Sequence, residues 1–133
     1  MAKFAWQTWN SAQFSIERKR GKTPGTVIMC LRGCLTVRDV YSALSPMELN
    51  KVIDSAAEPG EEPPRKYILD LTGCPSMDSS GLGMVATQYV RCRRNGIKMI
   101  AVGASPRVQE VLKLTKMDSV IPMVATMEEA ENA

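Results

Sequence analysis

The chain has 133 residues, which is enough for one compact domain with a single hydrophobic core. With 44% hydrophobic and 23% charged residues, its composition excludes a disordered or fibrous protein. The formal net charge is only +3, and neither basic cluster, 17–22 or 91–98, has the interleaved aromatic residues that nucleic-acid binding requires. No nucleic-acid partner is therefore expected.

The chain has no histidine and four cysteines: Cys30, Cys34, Cys74 and Cys92. Because no two of them have the CxxC spacing, a structural zinc site would need scattered thiolates to converge, and neither a metal nor a cofactor is expected. The cysteines are instead predicted to be small core residues. No leader-like segment is present, and no apolar run approaches the roughly twenty residues that span a bilayer. We therefore expect a cytoplasmic protein with reduced thiols and no direct membrane insertion.

The first predicted elements are strands. The opening segment MAKFAWQTWN, residues 1–10, could be an extra edge strand packed by its aromatic side chains or an arm that binds a partner, and packing is favoured. Two strand-like runs, 14–18 and 26–32, then flank a turn rich in glycine and proline. These runs predict a β-hairpin.

A helix is predicted next, in the segment SPMELNKVIDSAA. Ser45 is placed as the N-cap, Pro46 as the first helical residue and Glu48 as the partner of a capping box. The charged segment EPGEEPP, residues 58–64, cannot continue a helix and predicts a surface loop. Residues 67–71 then predict a buried strand.

The second half of the chain alternates helices and strands. The helix that follows the segment MDSSGLG is predicted to end near Gly96, with its arginines forming a solvated, positively charged end. Residues 98–103 predict a strand, Ser105 caps a further helix, residues 119–121 predict a short extended piece, and Thr126 caps a last helix. The apolar stripe predicted on the first of these helices is Leu82, Val85, Ala86, Tyr89 and Val90.

This alternation predicts the fold class α/β, with a mixed sheet. Parallel central strands are joined by helical crossovers, the N-terminal hairpin adds antiparallel pairing, and about four helices cover the sheet. No internal repeat or low-complexity segment interrupts the pattern.

The segment MDSSGLG, residues 77–83, is the strongest candidate for a functional site. It lies at the carboxyl end of a predicted parallel strand, where ligands of open α/β sheets usually bind, and at a helix N-terminus, which favours an anion. Asp78 or Ser79 could supply the helix cap. Gly81 and Gly83 are expected to remove side chains that would crowd an approaching partner.

The same segment lacks the signatures of common enzymes. It contains neither the Walker A pattern GxxxxGK[ST] nor the dinucleotide pattern GxGxxG. The GxSxG elbow of serine hydrolases is absent, and the chain has no histidine to act as a base. No enzymatic function is therefore expected.

From the strand at residue 67 onward, the sequence resembles a STAS domain of the stand-alone anti-sigma factor antagonist (anti-anti-sigma factor) type. The resemblance is carried by the strand ending in LDL, the loop MDSSGLG, the basic helix end before GIKMIAV, the SP helix start, the segment LKLTKMDSVI and, more weakly, CLRGCLT. It implies a single STAS domain over residues 1–133, with residues 1–12 as an N-terminal extension. The resemblance is strongest over residues 66–121.

The resemblance also implies a mechanism. In this family the first serine after the aspartate of the loop is phosphorylated by a partner anti-sigma factor that is itself an ATP-dependent serine kinase. Ser79 is therefore implied as the acceptor: the unmodified protein binds the kinase and releases a sigma factor, and a PP2C-type phosphatase resets the switch. The residues implied to shape the partner-binding surface are Met77, Asp78, Ser80, Gly81, Leu82, Gly83 and Thr36.

A second function stays open within the same family. The domain could act as a scaffold without a switch in a stress-signalling complex, or as a subunit beside a lipid or anion transporter. Residues near Leu82 and Met84 could form an interface or lie in the core, so the sequence is compatible with a monomer or a weak dimer.

Overall fold

The computed structural model describes residues 6–49 and 64–133 of the chain. The strands in chain order are β1 (Trp6–Asn10), β2 (Ser15–Arg20), β3 (Thr26–Arg32), β4 (Lys66–Gly73), β5 (Lys98–Val102) and β6 (Met123–Val124). They form one sheet whose spatial order is the chain order. β1, β2 and β3 pair antiparallel, whereas β3 to β6 run parallel. The predicted mixed sheet, with its N-terminal hairpin and parallel centre, is confirmed.

The helices of the described residues are α1 (Val37–Ala43), α2 (described over 46–49), α3 (Ser79–Arg94), α4 (Pro106–Leu114) and α5 (Met127–Asn132). The predicted capping box begins α2, since Glu48 N donates to Ser45 Oγ at 3.1 Å and Ser45 N donates to Glu48 Oε1 at 2.9 Å. The four predicted helices do not include α1, which is a fifth helix among the described residues. The rest of α2 and nearly all of the EPGEEPP loop lie outside the described residues.

The crossovers place α1, α3 and α4 on one face of the sheet, and the described part of α2 adds Leu49 to the same core. Each of the parallel strands β4, β5 and β6 lies directly beside the strand that precedes it in the chain. The connection between two such strands must therefore cross one face of the sheet to reach the start of the next strand. Val40 of α1, Val85 of α3 and Leu112 of α4 all join one apolar core on that face. α5 covers the other face, where Ala130 packs against a smaller cluster that includes Ile68.

The alternation of β2 buries one of the basic residues. Ile16 and Arg18 point into the protein, and Arg18 is only 1% exposed. Glu17 and Lys19 alternate with them on the other side of the strand, where Lys19 Nζ lies 3.8 Å from Glu17 Oε1. Burial raises the pKa of the nearby Tyr67 phenol, and the Arg18 guanidinium acts in the opposite direction. The basic cluster 17–22 therefore presents less charge at the surface than its sequence suggests.

Two predictions about the second half of the chain are wrong. Residues 119–121 are not extended. After α4 the backbone turns at Lys116, where φ is 62°, and a 3₁₀ turn follows over Met117–Ser119. The strand begins only at Met123. Val90 does not belong to the buried stripe of α3 and is 43% exposed. Its angular position lies on the outer side of the helix, away from Val85 and Cys92, which are buried.

The cysteines are free, and three of them are core residues as predicted. Cys30, Cys74 and Cys92 are buried, whereas Cys34 is half-buried. Burial raises the pKa of the Cys30 and Cys92 thiols to about 11, which keeps both neutral at physiological pH. Over the described ranges, 6–49 and 64–133, no helix is long and apolar enough to cross a bilayer.

Candidate functional site

Two helices begin side by side at the carboxyl edge of the sheet. Leu35 and Met77 form an isolated parallel bridge just beyond the ends of β3 and β4. Leu35 N donates to the carbonyl oxygen of Ser76 at 3.0 Å, and Asp78 N donates to the carbonyl oxygen of Leu35 at 3.4 Å. The next residues, Thr36 and Asp78, are the N-caps of α1 and α3. The bridge therefore fixes the two helix N-termini relative to each other.

Asp78, not Ser79, caps α3. The Oδ1 atom of Asp78 accepts a hydrogen bond from Gly81 N at 2.9 Å, and the backbone of Asp78 is extended, as N-caps require. Ser79 is consequently the first residue of the helix, and its side chain is exposed. Within the described part of the chain, the Ser79 hydroxyl has no hydrogen-bond partner. The cap therefore leaves this hydroxyl open to a partner protein.

The two glycines of the loop have different roles. A Cβ atom on Gly81 would overlap the carbonyl oxygen of Leu35, so only glycine lets α3 pack this closely on the start of α1. A Cβ atom on Gly83 would have no heavy atom within 4 Å. The expectation that both glycines clear the approach of a partner is therefore wrong for Gly81, which is buried, and stays a prediction for Gly83.

Other residues of the predicted partner-binding surface are less exposed than Ser79. Met77 is 7% exposed and belongs to the core, and Leu82 is half-buried and packs against that core. Ser80 is half-buried. Thr36 is half-buried as well, and its hydroxyl both accepts from Asp39 N at 3.1 Å and donates to Asp39 Oδ2 at 3.0 Å. The parts of the loop that solvent reaches most readily are Asp78, Ser79 and Gly83.

A third helix N-terminus lies against the same loop. Ser105 caps α4 by accepting from Val108 N at 3.2 Å, and its hydroxyl donates to the carbonyl oxygen of Pro75 at 3.1 Å. α1, α3 and α4 thus all direct their N-terminal ends to this edge of the sheet. Because the N-terminal end of a helix carries partial positive charge, the edge favours negative charge.

Two cysteines form hydrogen bonds with Ser76, the residue directly before the loop. Ser76 Oγ donates to Cys34 Sγ at 3.3 Å, and Cys74 Sγ donates to the carbonyl oxygen of Ser76 at 3.3 Å. Burial raises the pKa of the Cys74 thiol, so this sulfur remains a hydrogen-bond donor. The segment before Asp78 is therefore held by side chains as well as by the Leu35 bridge.

Sequence reasoning missed an exposed apolar pair beside this loop. Val37 and Tyr41 are 40% and 41% exposed and lie one turn apart on α1, immediately after the Thr36 cap. The sequence of this segment carries no S/T-x-x-E/Q capping box that would mark it as a helix. The i, i+4 spacing of the two residues is the one signal that could have revealed the pair.

Comparison with known protein families agrees with this architecture. The model of the STAS domain family matches residues 15–130, which is most of the chain. The chain therefore belongs to the STAS domain family.

Solved structures share the fold at low sequence identity. A candidate anti-sigma factor antagonist from Thermotoga maritima gives a TM-score of 0.70 at 23% identity, covering 86% of this chain and 90% of that chain. Unphosphorylated SpoIIAA, an anti-sigma factor antagonist of Bacillus, gives 0.65 at 22% identity, covering 96% and 94%. A sulfate transporter family protein from Wolinella succinogenes gives 0.67 at 19% identity, covering 84% and 86%. The shared fold thus occurs in proteins named for regulation and for transport.

Proposed function

We propose that this protein is an anti-sigma factor antagonist whose binding is switched by phosphorylation of Ser79. The observation that carries the proposal is the exposed Ser79 hydroxyl at the first position of α3, directly after the Asp78 cap. The partner is an anti-sigma factor that acts as an ATP-dependent serine kinase, and a PP2C-type phosphatase removes the phosphoryl group. The unmodified protein captures the kinase and so releases a sigma factor.

The position of Ser79 suits such a switch. A phosphoserine carries about −1.5 to −2 charges at neutral pH, and a helix N-terminus stabilises negative charge. The domain can therefore accept the phosphoryl group without unfolding. At an interface the same charge adds desolvation cost and repulsion from any acidic surface or nucleotide phosphate. Since about 1.4 kcal/mol is a tenfold change in affinity, one phosphoryl group is sufficient to release the partner.

Support also comes from the solved relatives. SpoIIAA has been determined in both its unphosphorylated and its phosphorylated form, and this chain has the same fold. The likeness to the Wolinella sulfate transporter family protein favours a second candidate, a scaffold or transporter subunit in which the same loop binds a partner without modification.

The direct test is mass spectrometry of the protein purified from the cells that make it, with and without phosphatase treatment. We expect a single phosphoryl group on the peptide that contains Ser79, and its loss in Ser79→Ala but not in Ser80→Ala. Ser80 is the matched control because it is the adjacent hydroxyl of the same helical turn. Absence of a phosphoryl group under all growth conditions would favour the scaffold instead.

A binding experiment separates the switch from the scaffold. Ser79→Ala should retain capture of the kinase, whereas Ser79→Asp, which introduces a negative charge at the same position, should weaken it. Equal capture by both variants would contradict the switch. As a check against an enzymatic role, the purified protein alone should show no sustained turnover of ATP, GTP or phosphoesters that depends on Ser79.

A further inference from the structure

The outer face of α3 has an unusual charge distribution. None of its residues, Ser79–Arg94, is acidic, and its last turn contains Arg91, Arg93 and Arg94. The helix therefore changes from an uncharged N-terminal half to a strongly cationic C-terminal end.

The same face is continuous with the Ser79 site. At 100° per residue, Gly83, Thr87, Val90 and Arg94 follow Ser79 along one side of the helix, and all five residues are exposed. A shallow recess of about 380 Å³ lies near the arginine end of this stripe. Its lining residues are Ala86, Thr87, Val90, Arg91 and Arg94. The surface thus combines small side chains, one exposed apolar residue and flanking guanidinium groups.

Two of these arginines, Arg93 and Arg94, make no ion pair within the part of the chain that the structure describes. Among residues 6–49 and 64–133, no acidic side chain lies within ion-pair distance of Arg93 or Arg94. Arg93 instead donates from Nη1 to the hydroxyl of Tyr89 at 3.4 Å. Both side chains are exposed, so their charges face solvent or a bound partner.

We propose that the kinase that modifies Ser79 docks along this outer face of α3 and places an acidic patch against Arg93 and Arg94. The inference rests on the proposed function and names the chemistry of the partner surface. At a rise of 1.5 Å per residue, Arg94 lies about 22 Å from Ser79, a distance within a protein–protein interface of ordinary size. The arginines increase the rate of encounter, and the uncharged half of the helix brings the partner against the Ser79 hydroxyl.

A purely structural role for the arginines must be separated from docking, because cations at a helix C-terminus also stabilise the helix. The double variant Arg93→Glu/Arg94→Glu removes both effects. Arg93→Lys/Arg94→Lys keeps the charge, and Lys113→Glu reverses a cation in the last turn of another helix, α4. Thermal denaturation confirms that each variant is folded.

The experiment measures the phosphorylated fraction of Ser79 for each variant, expressed in the cells that make the protein. We expect the phosphorylated fraction of Ser79 in the double glutamate variant to be about tenfold lower than in the unmodified sequence. In the double lysine variant and in Lys113→Glu, this fraction should stay close to that of the unmodified sequence. Equal phosphorylation in the double glutamate variant, or an equal loss in either control, would overturn the docking surface and leave the proposed function intact. No phosphoryl group even on the unmodified sequence would overturn both.

Discussion

At the scale of single residues, the start of α3 depends on the Asp78 carboxylate. Asp78→Ala removes the acceptor for Gly81 N, and we expect the free energy of unfolding to fall by about 1 kcal/mol. Asp78→Asn keeps an oxygen at the same position, so its free energy of unfolding should fall by only about a few tenths of a kcal/mol. Urea denaturation of both variants measures the difference. Equal losses would mean that the charge, rather than the hydrogen bond, stabilises the helix.

The two loop glycines provide a matched pair of substitutions. Gly81→Ala places a methyl group against the Leu35 carbonyl oxygen, and the resulting displacement should cost about 1–3 kcal/mol. Gly83→Ala adds a methyl group in open space within a helix, where alanine is favoured over glycine by about 0.5–1 kcal/mol. The midpoints of urea denaturation should therefore move in opposite directions. A loss of stability in both variants would contradict this assignment.

The sequence located the loop, but it did not reveal which of its residues face solvent. Ser79 and Asp78 could be placed because a strand followed by a cap and a helix is a local pattern. The burial of Met77 and Gly81 depends on the bridge to Leu35, a contact between segments more than forty residues apart in the chain. Residue types alone do not predict such a contact.

At the scale of elements, helices with strong caps were predicted and α1 was not. Ser45, Ser105 and Thr126 each precede a recognisable first turn, and each accepts the expected backbone hydrogen bond. α1 has only seven residues, and helices this short are unstable in isolation. It forms because Val40 is fully buried against the sheet, so tertiary packing determines its structure.

Because α1 is so short, its cap should affect that element more than the rest of the domain. In Thr36→Ala we expect the loss of the hydrogen bond from Asp39 N to reduce hydrogen-exchange protection mainly over residues 37–43. Thr126→Ala is the matched control, since it removes the equivalent bond to Glu129 N and should affect α5 instead. Uniform loss of protection across the sheet in both variants would show that the helices do not open separately.

At the scale of the whole molecule, burial of thiols predicts how stability depends on pH. The pKa values of Cys30 and Cys92 rise to about 11 in the folded protein, from a usual value of 9.0. Between these values the unfolded chain releases protons that the folded protein retains. The two thiols therefore leave the free energy of unfolding at its full value below pH 9, and this free energy falls as the pH rises from 9 to 11.

Urea denaturation at pH 8 and pH 10.5 tests this dependence. The unmodified protein should lose more stability between the two pH values than the variant Cys30→Ala/Cys92→Ala, which has no thiol at either position. The comparison uses the change with pH, so the cost of the smaller side chains cancels. An identical change in both proteins would mean that other groups cause the decline.

The fold as a whole should be insensitive to charge at Ser79. Ser79→Glu places a carboxylate at the first position of α3, where the helix N-terminus favours it and no hydrogen bond within the described residues is lost, so stability should change by no more than about 0.5 kcal/mol. Ser76→Glu is the contrasting variant. Ser76 is half-buried and donates to Cys34 Sγ, so a charge there should cost about 1–3 kcal/mol.

Thermal denaturation and hydrogen exchange compare the two variants with the unmodified protein. If Ser79→Glu keeps the stability and protection pattern of the parent while losing the partner, the switch is electrostatic and acts at the surface. If it unfolds the loop between Cys74 and Asp78, phosphorylation would act by disrupting the Leu35 bridge, and the surface mechanism would be wrong. The Leu35 bridge, the Ser76 contacts and the Asp78 cap do not use the Ser79 hydroxyl, so we expect the first result.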